Sequence, residues 1–144
     1  MLSDKKVLFY RDLARTASLQ STCPRAQVGA ILVGGDRVLG LGYNGAPRGT
    51  PHCALVGCLL EKDSEDREHC YRAVHAEANA LVNAAYTGSA TKGAAMISTY
   101  SPCVSCLKLL INAGITEVYY EKDYSDVRSA NLLALKPSIW LRKI

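Results

Sequence analysis

The run His75-Ala76-Glu77-Ala78-Asn79-Ala80-Leu81-Val82-Asn83-Ala84-Ala85 opens on two chemically capable side chains and continues as an alanine-faced helix that stops near Gly88. So many small residues on one helix predict close packing against a sheet. Further on, Pro102-Cys103-Val104-Ser105-Cys106 opens a second helix, carried to Ala113 by Leu107, Leu109, Leu110 and Ile111 and stopped by Gly114. His75, Cys103 and Cys106 make three donors, enough to hold a tetrahedral Zn²⁺ with one corner left open. The two cysteines stand on one helical turn and face the same way. A helix N-terminus also favours the thiolate, the form that binds metal. Glu77 is better suited to proton transfer than to ligation. A metal with an open corner, a water on it and a carboxylate beside it is hydrolytic machinery. Taken singly, Cys-x-x-Cys also serves structural zinc and redox pairs. A structural site needs a fourth protein ligand, and none accompanies this triad at comparable spacing.

Working outward, residues 94–99 read as a buried strand and residues 116–120 as the next. A short helix over 127–135 follows, then Pro137 and a last strand over 138–141. Upstream, the apolar runs 28–33 and 37–43 flank Gly34-Gly35-Asp36, the pattern of a β-hairpin. Residues 5–19 place Leu8, Phe9, Asp12, Leu13, Thr16 and Leu19 at helical spacing, with Arg11 and Arg15 off that stripe. Ser3 or Asp4 is the expected cap, and Pro24 keeps the chain from continuing the helix. Helix, hairpin, then alternating helices and strands predict one α/β domain over 1–144, with helices on both faces of a mixed five-stranded sheet.

With 144 residues the chain is large enough to bury a core without disulfides. Its net charge of +4 suits an anionic substrate, but the charges are scattered and form no nucleic-acid stripe. No apolar run reaches membrane-spanning length, and the first residues lack the apolar core of a signal peptide. These features predict a cytoplasmic protein with no membrane and no nucleic-acid partner. The six cysteines then read as metal ligands before disulfides. Residues 44–71 form a long insertion, poor in core residues and punctuated by Gly45, Pro47, Gly49, Pro51 and Gly57. Its charged patch, residues 61–68, reads as a solvated surface helix or loop. Cys53, Cys58 and Cys70, with Cys23, are expected to close a second, structural zinc site that ties the insertion down. His69 or His52 is an alternative for one of these ligands. The competing reading makes the cysteines buried small hydrophobes.

The pattern His75-Ala76-Glu77 with Pro102-Cys103-Val104-Ser105-Cys106 is the His-x-Glu and Pro-Cys-x-x-Cys signature of zinc nucleobase deaminases. From about Cys23 to Tyr124 the chain resembles the deoxycytidylate (dCMP) deaminases of the cytidine deaminase-like superfamily. The resemblance also rests on Cys23-Pro24-Arg25, on Gly42-Tyr43-Asn44-Gly45-Ala46-Pro47-Arg48-Gly49, on Pro51-His52-Cys53, and on Ile111-Asn112-Ala113-Gly114-Ile115. It implies the α/β/α cytidine deaminase-like fold and deamination of dCMP to dUMP and ammonia, which supplies dUMP for dTMP synthesis. In that reaction Glu77 protonates N3 and then the leaving ammonia. The resemblance also implies that Ala76 and Ser101 grip the base, that Asn44 contacts the sugar, and that Arg25 and Tyr124 approach the phosphate. It further implies a homo-oligomer, hexamer or trimer, activated by dCTP and inhibited by dTTP through Gly42, Tyr43, Gly45 and Arg48. Where the family often writes Leu-Glu or Leu-Ser before Pro-Cys, this chain has Tyr100-Ser101.

Three other functions share parts of this pattern. A cytidine or deoxycytidine deaminase would use the same zinc chemistry without a cationic pocket. A tRNA adenosine deaminase would need a basic, RNA-facing surface. A zinc-stapled binding module would have no use for Glu77.

Overall fold

In a computed structural model, which describes residues 1–124, 126–135 and 138–144, the chain builds its sheet around one hairpin. Strands β1 (Gly29–Gly34) and β2 (Arg37–Tyr43) pair antiparallel through the turn at Gly35 and Asp36, both with positive φ. The elements α1 (Asp4–Ser18), α2 (Cys53–Val56), β3 (Leu60–Lys62), β4 (Glu68–Cys70), α3 (Ala76–Tyr86), β5 (Ala95–Tyr100), α4 (Val104–Asn112), β6 (Glu117–Lys122), α5 (Val127–Leu135) and β7 (Trp140–Lys143) complete it. The main sheet has five strands in the order β2-β1-β5-β6-β7. β1 pairs antiparallel with β5, whereas β5–β6 and β6–β7 are parallel, so the sheet is mixed as expected.

Alternation along β1 builds two cores. Ala30 and Leu32 pack with Ala76, Ala80, Ala84, Leu107 and Leu110, from α3 and α4. Ile31 and Val33 point the other way, to Val7, Tyr10, Ala14 and Ala17 of α1. A strand buried on both faces reads as an unbroken apolar run, and β1 does.

Helix α1 has the expected span but presents a different face. Its buried residues are Val7, Tyr10, Ala14, Ala17 and Ser18, while Leu8 and Phe9 are exposed. The physical reason lies at Gly29, where a Cβ would stand 2.0 Å from the Ala14 carbonyl oxygen and 2.7 Å from the Ser18 nitrogen. The helix approaches β1 backbone to backbone, and only its small residues fit there. Ser3 occupies the N-cap position without a side-chain cap bond; its carbonyl accepts the Val7 N–H at 2.9 Å.

The charged patch is not a helix: its middle, residues 63–67, is a turn, and its ends belong to two short strands. Residues 60–62 and 68–70 pair as the antiparallel hairpin β3–β4. Asp63 organises the turn, its carboxylate accepting the backbone N–H groups of Glu65 (2.8 Å) and Arg67 (3.0 Å), an Asx-type turn that closes a hairpin. The last strand begins later than expected: Ile139 is buried in the core, and the β6–β7 ladder starts at Trp140 opposite Glu117. Pro137 lies outside the described residues.

Candidate active site

Both halves of the His/Cys pattern sit at helix starts. His75 is the N-cap of α3 and Cys103 the N-cap of α4, each with extended backbone and neither spending its side chain on a cap bond. Freed from capping, the two side chains turn toward each other. Nδ1 of His75 lies 3.4 Å from the Cys103 sulfur and 3.4 Å from the Cys106 sulfur. The three donor atoms all lie within 4.8 Å of one another, a donor set that fits one zinc ion.

What brings α3 to this place is the glycine-alternating strand β2. A Cβ at Gly42 would stand 2.1 Å from the Ala76 carbonyl oxygen and 2.5 Å from the Ala80 nitrogen. The alanine face of α3 thus rides directly on the β2 backbone, with Ala76, Ala80 and Ala84 fully buried. Asn79 and Asn83 pin the helix laterally, donating to the carbonyls of Tyr43 (2.9 Å) and Leu41 (2.6 Å).

Glu77 points inward and is only 4% exposed. The hydroxyl of Ser98, on β5, donates to its Oε1 at 3.2 Å. Burial pushes the Glu77 carboxyl above its ordinary range, against the pull of its own backbone N–H and of the His75 ring. The two thiols are unequal. The Cys106 thiol, opposed by burial and then helped by the His75 ring and the Cys106 backbone N–H, pulls Cys103 down to about 4. Cys106, beside that thiolate and near Glu77, is pushed up.

His75, Cys103 and Glu77 line one cavity of about 300 Å³, and every expected substrate residue is in its wall: Arg25, Asn44, Ala76, Ser101 and Tyr124. Their side chains differ in freedom. Asn44 is a brace, accepting the Val28 N–H at 2.8 Å and donating to the Ala26 carbonyl at 2.6 Å. Ser101 fastens the segment around Tyr124, exchanging bonds with its backbone N–H (2.7 Å) and carbonyl (3.2 Å). Arg25 reaches across to Glu68 on β4, 3.2 Å from its carboxylate and 3.4 Å from its carbonyl.

Sequence reading gave Glu68 no role beyond the charged patch, gave His69 only as an alternative ligand for the second zinc, and passed over Ser98. Glu68 and His69 line the cavity, and His69 is held through Nε2, 2.8 Å from Asp63. Asp63 also takes the Arg67 guanidinium at 2.9 Å, and Arg67 lies over the Tyr124 ring, 5.9 Å to its centroid. Burial raises the Asp63 carboxyl, but the bonds from His69 and from Arg67 and Glu65 outweigh it and hold it well below the carboxylate range. A charged patch with one Asp at the turn and a His beside a Cys was the available signal.

The remaining cysteines also converge. The sulfurs of Cys23, Cys53, Cys58 and Cys70 lie within 4.8 Å of one another, a four-thiol set from two elements, α2 and β4, and two loops. His69 is turned to Asp63 instead, and His52 is no member of this group. Cys70 is prepared for ionisation: against burial, backbone N–H groups of Ala73, Leu59 and Arg72 and the Cys53 thiol bring it down to about 7. Cys58, burdened by burial and by its sulfur neighbours, is pushed up to about 12.

Gly42, Tyr43, Gly45 and Arg48 line a different cavity, of about 560 Å³. Arg48 lies over the Tyr86 ring there, 5.3 Å to the centroid. Gly42 has the packing role described above.

Residues 4–122 match the cytidine and deoxycytidylate deaminase zinc-binding region. ComE operon protein 2 of Bacillus subtilis is 46% identical over 107 residues, 74% of this chain and 54% of that protein. Deoxycytidylate deaminase of Mycobacterium phage D29 is 37% identical over 122 residues, 80% of this chain and 93% of that protein. The crystal structure of dCMP deaminase from the cyanophage S-TIM5, in complex with dCMP and dUMP, superposes with a TM-score of 0.82 at 28% identity over 100% of both chains. Against the Bacillus protein and two yeast deoxycytidylate deaminases, the chain spans between 37% and 54% of the relative's length. With the zinc-binding region matched over residues 4–122 and the α/β sheet shared, the chain belongs to the cytidine and deoxycytidylate deaminase family.

Proposed function

We propose that this domain, residues 1–144, is a zinc-dependent dCMP deaminase that converts dCMP and water to dUMP and ammonia and so supplies dUMP for dTMP synthesis. The observation that carries this reading is a single cavity that joins the His75 and Cys103 donors, the buried Glu77 and one arginine, Arg25, with the Cys106 sulfur 3.4 Å from the His75 ring. His75, Cys103 and Cys106 would hold the zinc, which supplies a water acidic enough to attack near neutral pH. Glu77 would take one proton from the attacking water and deliver it to N3 of cytosine, then take the second from the new C4 hydroxyl and pass it to the amine leaving C4. A raised carboxyl suits a group that must both accept and return a proton. Ser98 holds Oε1, so the other carboxylate oxygen is the one offered to the substrate. The Ala76 N–H and Ser101 border the base, Asn44 shapes the sugar end, and Arg25 with Tyr124 receives the 5′-phosphate.

Cys23, Cys53, Cys58 and Cys70 would hold a second zinc, closed and structural. The cavity beside Gly42, Tyr43, Gly45 and Arg48 would take the dCTP and dTTP effectors of a cytoplasmic homo-oligomer, hexamer or trimer. Ammonia release from a panel of cytosine nucleosides and nucleotides tests the substrate. Wild type should prefer dCMP over deoxycytidine. Arg25→Ala should lower kcat/KM for dCMP by about 1.5–3 kcal/mol, the range of a charged hydrogen bond, and leave deoxycytidine turnover nearly unmoved. A preference for deoxycytidine in wild type overturns the reading.

A further inference from the structure

The Arg25–Glu68 pair stands at the outer end of the cavity. Glu77 marks the floor at 4% exposure, while the side chains of Arg25 and Glu68 are 37% and 50% exposed. Among the described residues, Arg25 is the one lysine or arginine in the cavity wall, and a carboxylate faces it at 3.2 Å. A mouth built only to attract phosphate would have no use for that carboxylate. We propose that Glu68 counts phosphates: it sets the site to accept a nucleoside 5′-monophosphate and to turn away the diphosphate and triphosphate.

This rests on the reading of the cavity as a dCMP site. A monophosphate takes the place of the Glu68 carboxylate on the Arg25 guanidinium, one anion replacing another on the same fork donor. The displaced carboxylate stays nearby, because β4 fixes its backbone through the Lys62–Glu68 pairing with β3. A second phosphate would extend outward from the first and meet this carboxylate with no further lysine or arginine among the described residues of the wall. Like charges at such distances repel strongly where water is partly excluded. Rejection is thus built as a repulsive element against the wrong ligand rather than as an added contact to the right one.

The test is the ratio of kcat/KM for dCMP to that for dCDP, which is neither of the proposed effectors. Glu68→Gln keeps the size and a hydrogen-bonding group but removes the charge, and it should lower this ratio by roughly tenfold or more. Glu68→Asp, which restores a carboxylate, should return the ratio most of the way to wild type. The wild-type ratio should also fall as ionic strength rises, and the Glu68→Gln ratio should not. Zinc content and melting temperature identify any variant with a damaged fold; there, the salt dependence of wild type alone decides. If Glu68 merely steadies Arg25, Glu68→Gln lowers both substrates together, the ratio holds, and the proposal is overturned. A salt-independent wild-type ratio overturns it as well. Failure of the substrate reading is distinct, since wild type would then show no preference for dCMP over deoxycytidine.

Discussion

Two groups of sulfur donors lie close together in this chain, and they are built on opposite plans. The set at His75, Cys103 and Cys106 has three donors, lies at the start of two long helices and shares its cavity with a buried carboxylate. The set at Cys23, Cys53, Cys58 and Cys70 has four, no two of them on the same element, and it ties the insertion to the segment before β1. On the proposed reading, three donors at helix starts would leave a corner for chemistry, and four thiols on short segments would replace a hydrophobic core that the insertion lacks. Cysteine count alone would not separate them. What surrounds the donors does.

The sharpest test of the contrast is Glu77→Gln. It should cut turnover by about 10² to 10⁴-fold, the range of a general acid–base group, while zinc content and melting temperature stay at wild-type values. Near-normal turnover in zinc-replete protein would remove the chemical half of the comparison. The complementary variant is Cys53→Ala, in the other set. Elemental analysis should find one zinc per chain fewer, and the melting temperature should fall by about 10 °C, as the loss of a structural metal demands. Cys103→Ala should also lose a zinc and all turnover, but with the smaller thermal effect. A protein with only one zinc per chain to begin with would leave the four thiols as buried apolar groups.

A weaker perturbation acts on the platform of the first set. Gly42→Ala forces a methyl against the Ala76 carbonyl and should cost about 1–3 kcal/mol by overpacking. Because the displaced segment carries His75 and Glu77, kcat should fall even with no effector present. A variant whose only defect is the effector response would return Gly42 to the ligand role. The smallest effect is expected at Asp63, in the hairpin tied by the second set. Its folded carboxyl is held below the unfolded value of about 3.9. Its contribution is therefore complete above that pH and is lost as pH falls through the folded value. Asp63→Asn should melt a few degrees below wild type at pH 7, and the gap should close on acidification below about pH 4. A gap that is constant with pH would show that the carboxylate charge is not what holds the turn.

Much of this was legible in the sequence because local pattern and tertiary role coincide. The alanine face of α3 told of close packing, and His75 with Cys103 marked two helix starts, because each requirement is met within one turn of chain. The face of α1 was not legible. Its buried side is chosen by Gly29, far along the chain, and apolarity within the helix points to Leu8 and Phe9 instead. Nor was the β3–β4 hairpin, where charge patterning indicates exposure and says nothing about backbone form. Exposed it is, but Asp63 turns it through bonds to its own backbone. Asn44, expected to contact the sugar, lines the cavity, yet its side chain is spent on Ala26 and Val28, a commitment that only the folded loop reveals.

One small feature bears on how such a chain can be altered. Gly45 and Val74 exchange two backbone hydrogen bonds, Gly45 N–H to the Val74 carbonyl at 3.1 Å and Val74 N–H to the Gly45 carbonyl at 2.8 Å. Residues 46–73 therefore leave and rejoin the body through a neck one residue pair wide. Cutting or exchanging what lies beyond a closed neck changes the loop without asking the strand before it or the helix after it to move. The insertion is in this sense a module, with the bridge as its stem and contacts to the body at Cys23, at Arg25 through Glu68 and at Tyr124 through Arg67. A shorter connector grafted between Gly45 and Val74 should leave β2 and α3 in register, and a foreign module would need a partner for Cys23 to sit still.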